Sequence, residues 1–220
     1  MNPAPPESRW LGSGVSYEEG LRFQESALAA RREGKSLDTV LLLEHAPVYT
    51  IGRTRDRSSL GEAARLPHPV VEINRGGQAT YHGPGQLVGY PILDLRAYGK
   101  DLHAYLRALE DALIATLAGY AIAARRRDGL TGVWVEDRKI ASIGVGIRRW
   151  ISMHGFALNI TPQCLPPFLA ITPCGIEGVR MTCLHAESSS RPTTREVGDS
   201  IVRHLHARLR HVAALSKRQA

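Results

Sequence analysis

The run Val40-Leu41-Leu42-Leu43 constrains this chain most, because four consecutive apolar residues, followed by Pro47, are too few for a helix and read as a buried strand. A buried strand commits the chain to a sheet. Further strands are read at 48–51, 70–73, 87–93, 131–135, 140–147 and 152–160, the pair around Glu136-Asp137-Arg138-Lys139 having the pattern of a hairpin. Helices interrupt them. Ser16-Tyr17-Glu18-Glu19 is a capping box, and Gly34 is placed to stop the helix it opens. Leu102, Tyr105, Leu106, Leu109, Leu113 and Leu117 predict a second helix ended by Gly119. Thr193 and Glu196 open a third, with Ile201, Val202, Leu205, Leu209 and Val212 on its inner face. Helices interspersed among strands without strict alternation predict an α/β or α+β fold with a mixed sheet.

With 220 residues, 43% of them hydrophobic, the chain can bury a core without a metal or disulfide staple. Residues 1–8 are Pro-rich and expected to be mobile, 216–220 form a basic tail, and 9–215 read as a single domain. The longest weakly polar stretch, 112–124, falls short of the roughly 18 residues of a membrane span. The first residues lack the basic and apolar regions of a secretory signal, which makes the cytoplasm the expected compartment. Three cysteines without a Cys-x-x-Cys pair suit that setting and argue against a disulfide framework or a zinc knuckle. The charge of +7 fits a nucleic acid, a membrane surface or an acidic protein. Seven Tyr, three Phe and three Trp do not interleave with the arginines at 125–127 and 148–149, so the stacking platforms of a nucleic-acid binder are missing.

Two segments carry chemistry. In Arg75-Gly76-Gly77-Gln78-Ala79-Thr80-Tyr81-His82-Gly83-Pro84-Gly85-Gln86, four glycines between two strands let backbone lie directly against a ligand. The loop lacks the Lys-Ser/Thr of a Walker motif and leads into a strand rather than a helix, so no nucleotide is implied. Arg75, Thr80 and His82 add donors and a titratable group, with His82 open to a catalytic role or to ordering the loop, the latter being favoured. The second segment is Thr172-Pro173-Cys174-Gly175-Ile176, where a thiol sits at a chain bend. A lone cysteine is commonly a small buried hydrophobe. A nucleophilic one needs its pKa lowered, and about 2 kcal/mol suffices where a cation about 4 Å away supplies up to about 4 at an effective dielectric of 20. Lys139 is the candidate cation, because it starts the apolar strand Lys139-Ile140-Ala141-Ser142-Ile143-Gly144; the alternative is a hairpin lysine pointing into water.

These segments, together with His154-Gly155-Phe156-Ala157-Leu158-Asn159, resemble in order and spacing the lipoyl(octanoyl) transferases. The resemblance runs from about Tyr17 to the last helix. It implies the fold of biotin and lipoate protein ligases, a larger mixed sheet packed with helices and a smaller sheet beside it. It also implies a cytoplasmic enzyme without cofactor or metal that moves octanoyl groups from acyl carrier protein to a lysine of the lipoyl domains of 2-oxoacid dehydrogenases or of the glycine cleavage H protein. By the same resemblance Cys174 is the acyl-thioester nucleophile, and Lys139 lowers its pKa and carries protons. Arg75, Gly76, Gly77, Gln78, Ala79, Thr80, Tyr81 and His82 line the acyl pocket with Ser142, Ile143, Gly144, Gly155, Phe156 and Ala157. Backbone N–H groups near Gly144 or Gly175 are expected to hold the oxyanion, and 125–127 or 148–149 to steer acidic partners. Cys183 stands where a serine is more usual. The alternative is an ATP-dependent lipoate or biotin ligase, which needs no nucleophilic cysteine.

Overall fold

A computed structural model describes residues 4–53, 57–61 and 65–216. Its strands are β1 (Glu7–Trp10), β2 (Thr39–Leu43), β3 (Val48–Ile51), β4 (Val70–Glu72), β5 (Thr80–His82), β6 (Gln86–Ile92), β7 (Ala124–Arg127), β8 (Leu130–Val135), β9 (Arg138–Arg148), β10 (Ile151–Asn159) and β11 (Arg180–Met181). Its helices are α1 (Tyr17–Arg32), α2 (Leu102–Ala118), the single turn α3 (Leu184–Glu187) and α4 (Thr194–Ser216).

β2 is apolar throughout because both its faces are covered. Val40 and Leu42 enter the core shared with α2 and α4, whereas Leu41 and Leu43 enter the one shared with α1. The large sheet runs β1-β2-β6-β10-β9-β8-β7, with β11 alongside β9. β1 is parallel to β2 and β11 to β9; the other pairs are antiparallel, which makes the sheet mixed. The smaller sheet runs β4-β3-β5. The mixed-sheet α/β expectation holds.

Both N-caps form, and the one at Thr193 closes as a full capping box. Ser16 Oγ accepts from Glu19 N–H at 3.2 Å, Thr193 Oγ1 from Glu196 N–H at 3.3 Å, and Glu196 Oε2 from Thr193 N–H at 2.8 Å. α2 departs from the expected stripe at its start. Asp101 caps it, Leu102 is exposed and Leu106 half-buried, while Ala108 and Ala112 join Tyr105, Leu109, Leu113 and Leu117 in the core. On α4, Val212 is half-buried and Ala213 takes the last core position.

Several expectations are revised. Glu7 and Ser8, assigned to the N-terminal segment, pair with Thr39 and Val40 in β1. Residues 1–3 and 217–220 lie outside the described residues, and Ser216, assigned to the tail, ends α4. Residues 125–127, expected to steer acidic partners, lie on β7, which leaves Arg125 and Arg127 exposed. Arg126 turns inward, with Nε 2.8 Å from Glu110 Oε2 and Nη2 2.5 Å from Asp111 Oδ1, and Arg127 lies over the Trp134 ring at 4.8 Å. The 75–86 segment is not one loop, since β5 forms inside it and pairs with β3. The hairpin turn narrows to Glu136-Asp137, Glu136 adopting φ +55°, and β9 starts one residue before Lys139. Among the described residues no helix is long and apolar enough to cross a membrane.

Candidate functional site

Lys139 is held from both sides. Its backbone faces Trp134 of β8 on one edge and Met181 of β11 on the other, and its carbonyl accepts from Thr182 N–H at 3.0 Å. The side chain is 1% exposed, which removes the hairpin-lysine alternative. Nζ lies 5.5 Å from the centroid of the Trp134 ring and donates to Cys174 Sγ at 3.2 Å. Gly132 makes the passage: it adopts φ +128°, and a Cβ there would sit 2.7 Å from Lys139 Cε and from Ala141 O. The buried carboxylate of Glu110 fixes this point by accepting from Gly132 N–H at 3.1 Å. Gly132→Ala is therefore expected to push the ammonium off the thiol, raising the midpoint of Cys174 alkylation by iodoacetamide toward its ordinary value with at least a roughly tenfold loss of thiolate below it. An unchanged pH profile would contradict this.

Cys174 adopts φ +57° and ψ +18°, a left-handed conformation that costs a non-glycine residue about 1 kcal/mol or more. Its N–H donates to Ala79 O at 2.8 Å, and Ser142 Oγ lies 3.8 Å from its Sγ. Burial pushes this thiol up, but the charge and hydrogen bond of Lys139, the Ser142 hydroxyl and the charge of Arg75 together hold it below its ordinary value. Burial also pushes Cys164 and Cys183 up, and there the backbone hydrogen bonds that oppose it do not overcome it, so both stay above their ordinary value. One of three thiols is thus prepared for ionisation. Cys183, the unusual residue at its position, is fully buried ahead of α3.

A cavity of about 230 Å³ opens beside the sulfur, between the large sheet and the small one. Of the expected lining, Arg75, Gly77, Thr80, His82, Ser142, Ile143, Gly144, Gly155, Phe156 and Ala157 border it together with Lys139 and Cys174. Gly76, Gln78, Ala79 and Tyr81 do not. For Tyr81 and Ala79 the reason is the period of two in β5: Thr80 and His82 face the cavity, while Tyr81 packs on Tyr49 and Phe168 and the neighbouring Ala79 on Ile51 and Leu60. Gly144 leaves room for protein rather than ligand, because a Cβ there would lie 2.9 Å from Arg75 Cδ. The buried Arg75 spends its guanidinium on the carbonyls of Thr50, Gly76 and Gln78 and the hydroxyl of Thr50. Gly175 N–H already donates to Thr172 O at 2.9 Å, which takes it out of the expected oxyanion role.

Sequence reasoning did not select Tyr17 from α1, Val88 and Tyr90 from β6, or His154, all of which border the cavity. His154 opens the motif at 154–159 and adopts φ +56°, its N–H donating to Gln24 Oε1 at 2.8 Å. Three buried histidines surround this wall. His82 Nδ1 lies 2.8 Å from Gln86 Oε1, and Gln86 Nε2 donates to Asn159 Oδ1 and Tyr81 O, so the His82 proton sits on Nδ1. That contact favours an ordering role for His82. His45 bridges Val15 O and the Tyr90 hydroxyl at 2.8 and 2.7 Å. Among the described residues no cluster of three or more His, Cys, Asp or Glu is placed to hold a metal ion.

Burial, ahead of neighbouring positive charge at His82 and His154, holds His45 and His154 down to about 4 and His82 down to about 3, against an ordinary 6.5. Below pH 6.5 the unfolded chain binds protons that these folded imidazoles refuse. Their contribution is complete above about pH 6.5 and is lost as the pH falls toward 4, each histidine adding a slope of about 1.4 kcal/mol per pH unit. Urea unfolding at pH 7, 6 and 5 is expected to show falling stability, and a flat profile would contradict the burial of neutral imidazoles.

A sequence profile of the lipoyl protein ligase A/B catalytic domain matches residues 16–206. A protein named octanoyltransferase from Geobacter metallireducens is 52% identical over 172 residues, covering 78% of this chain and 79% of that protein. An octanoyltransferase from Syntrophotalea carbinolica is 45% identical over 196 residues, covering 89% and 91%. In solved structures, a lipoate-protein ligase A bound with ATP superposes with a TM-score of 0.73 at 16% identity, over 94% of this chain and 86% of that one. A bipartite lipoate protein ligase from Thermoplasma acidophilum superposes with a TM-score of 0.68 at 16% identity, over 93% and 84%. At such identities the two structures speak to the fold alone.

Proposed function

This chain belongs to the lipoyl protein ligase A/B catalytic family, and from that premise we propose that it is an octanoyltransferase working through a Cys174 acyl-thioester. The observation that carries the reading is the 3.2 Å contact between Lys139 Nζ and the Cys174 sulfur, the one thiol of three held below its ordinary value. A ligase that activates its acid with ATP needs no such pair.

In the reaction, the Cys174 thiolate attacks the thioester carbonyl of octanoyl-acyl carrier protein. The tetrahedral intermediate collapses by expelling the carrier thiolate, which takes its proton from Lys139. Acyl-enzyme and neutral lysine amine remain. The acceptor, a neutral lysine side chain of a lipoyl domain of a 2-oxoacid dehydrogenase or of the glycine cleavage H protein, then attacks the acyl carbon. Its proton passes to Lys139, the C–S bond breaks, and the amide forms as the starting ion pair is restored. Thiol and amine titrate as one coupled unit through this cycle. Exchange between two thioesters is nearly balanced and amide formation runs downhill, so ATP has no step to drive.

The acyl chain would occupy the cavity, where Val88, Ile143, Phe156 and Ala157 supply apolar wall worth about 0.8 kcal/mol per methylene buried. Of the two basic surfaces, β7 is the better placed for an acidic carrier. Exposed Arg127 precedes the Gly129–Leu130–Thr131 lip of the cavity, whereas Arg148 lies nine residues along β9 from Lys139, about 30 Å away at strand rise, and pairs with Glu25. Three free thiols suit the reducing cytoplasm as the site of the reaction. The test is octanoylation of a lipoyl domain from octanoyl-acyl carrier protein in nucleotide-free buffer. Transfer without ATP supports the reading; transfer from free octanoate only with ATP would replace it by the ligase.

A further inference from the structure

Cys174 holds a left-handed conformation that its own side chain disfavours, so neighbouring segments must impose it. Those neighbours converge on Ser59. This residue is 1% exposed in the short 3₁₀ turn Ser58–Leu60 and remote in sequence from every motif of the site. Its hydroxyl oxygen accepts from Ala79 N–H at 3.1 Å, and its carbonyl accepts from Thr172 N–H at 2.8 Å. The same Ala79 receives the Cys174 N–H on its carbonyl at 2.8 Å, and Thr172 receives that of Gly175 at 2.9 Å. A closed ring of hydrogen bonds thus joins the glycine-rich segment to both sides of the nucleophile turn, with Ser59 as the member belonging to neither. Leu60, fully buried with Ile51 and Ala79, anchors the ring to the small sheet.

We propose that Ser59 is a positioning residue for Cys174, its hydroxyl locking Ala79 so that the Cys174 sulfur stays within hydrogen-bond reach of Lys139 Nζ. Any drift of the Ala79 carbonyl is passed directly to the Cys174 backbone, whose strained conformation supplies the tendency to relax. Lys139 cannot follow, because β8 and β11 pin its backbone and Gly132 confines its side chain. The inference rests on the reading of Cys174 as nucleophile.

The test compares wild type, Ser59→Ala and Ser59→Thr in the full chain. The readout is the pH dependence of Cys174 alkylation by iodoacetamide, followed at the Cys174 peptide by mass spectrometry, alongside the rate of octanoyl acyl-enzyme formation. Ser59→Ala is expected to move the alkylation midpoint up by roughly one pH unit, a tenfold loss of thiolate at a fixed pH below it, while Ser59→Thr keeps the wild-type midpoint. A folded Ser59→Ala with an unshifted profile, or an equal shift in Ser59→Thr, would overturn the proposal. Should Ser59→Ala not fold, hydrogen exchange on the wild type decides: the Ala79, Thr172 and Cys174 amides are expected to be protected as one unit, and rapid separate exchange would overturn the ring. The alkylation profile needs no substrate. If it shifts as expected but Cys174→Ala still transfers octanoyl groups, the proposed function fails, and Ser59 holds the Cys174 thiol in place without a bearing on the reaction.

Discussion

Replacing Cys174 by alanine is expected to lower octanoyl transfer by at least about 10³-fold, while Cys183→Ser and Cys164→Ala each leave the chemical step within a fewfold of wild type. The asymmetry follows from the surroundings of three thiols in one chain. Cys164 is sealed in the cluster of Tyr49, Tyr81 and Phe168 and donates its proton to Thr161 O at 3.1 Å, and burial raises its pKa. Cys183 is likewise pushed up by burial. Only Cys174 borders the cavity and faces an ammonium. The measurement is steady-state transfer to a lipoyl domain by the three variants, each checked for thermal unfolding. Comparable losses in all three would indicate structural damage rather than a lost nucleophile.

Lys139→Met keeps most of the buried volume and removes the charge, and it is expected to reduce transfer by about 10²- to 10⁴-fold. The pH profile should also move. Without Lys139 the burial that raises the Cys174 thiol is opposed only by Ser142 and Arg75, so its pKa climbs and activity is carried toward alkaline pH. Lys139→Arg separates the two tasks of this residue. A guanidinium preserves the charge beside sulfur but gives up no proton near neutral pH, so the acyl-enzyme should form, slowed, and then accumulate because the acceptor amine finds no base. Stopped-flow acylation against acceptor turnover measures the split. An arginine variant losing both half-reactions equally would contradict a proton-carrying role.

The elements readable from sequence were those whose signal is local. The N-caps Ser16 and Thr193 fix the starts of α1 and α4, and the uniform run of β2 reports burial on both faces. Lys139 and Cys174 were legible because a cation opening an apolar strand and a thiol between Pro and Gly are locally out of place. The rest depends on three-dimensional pairing. Within 125–127 only Arg126 turns toward the acidic pair Glu110 and Asp111, and nothing local singles it out from its two exposed neighbours. The resemblance placed the whole of 75–82 in the lining, and β5, three residues long in a glycine-rich segment, is too short for its alternation to mark Tyr81 and Ala79 as facing away. Tyr17, Tyr90 and Ser59 reach the site from α1, β6 and the 3₁₀ turn, and each looks like an ordinary member of its own element.

The most direct test of the account is the intact mass of the purified chain after mixing with octanoyl-acyl carrier protein in the absence of ATP. The account predicts a single octanoyl adduct, labile to hydroxylamine, retained in Cys183→Ser and lost as a thioester in Cys174→Ser. A chain that gains no mass until ATP is supplied, or an adduct that persists unchanged in Cys174→Ser, would contradict it.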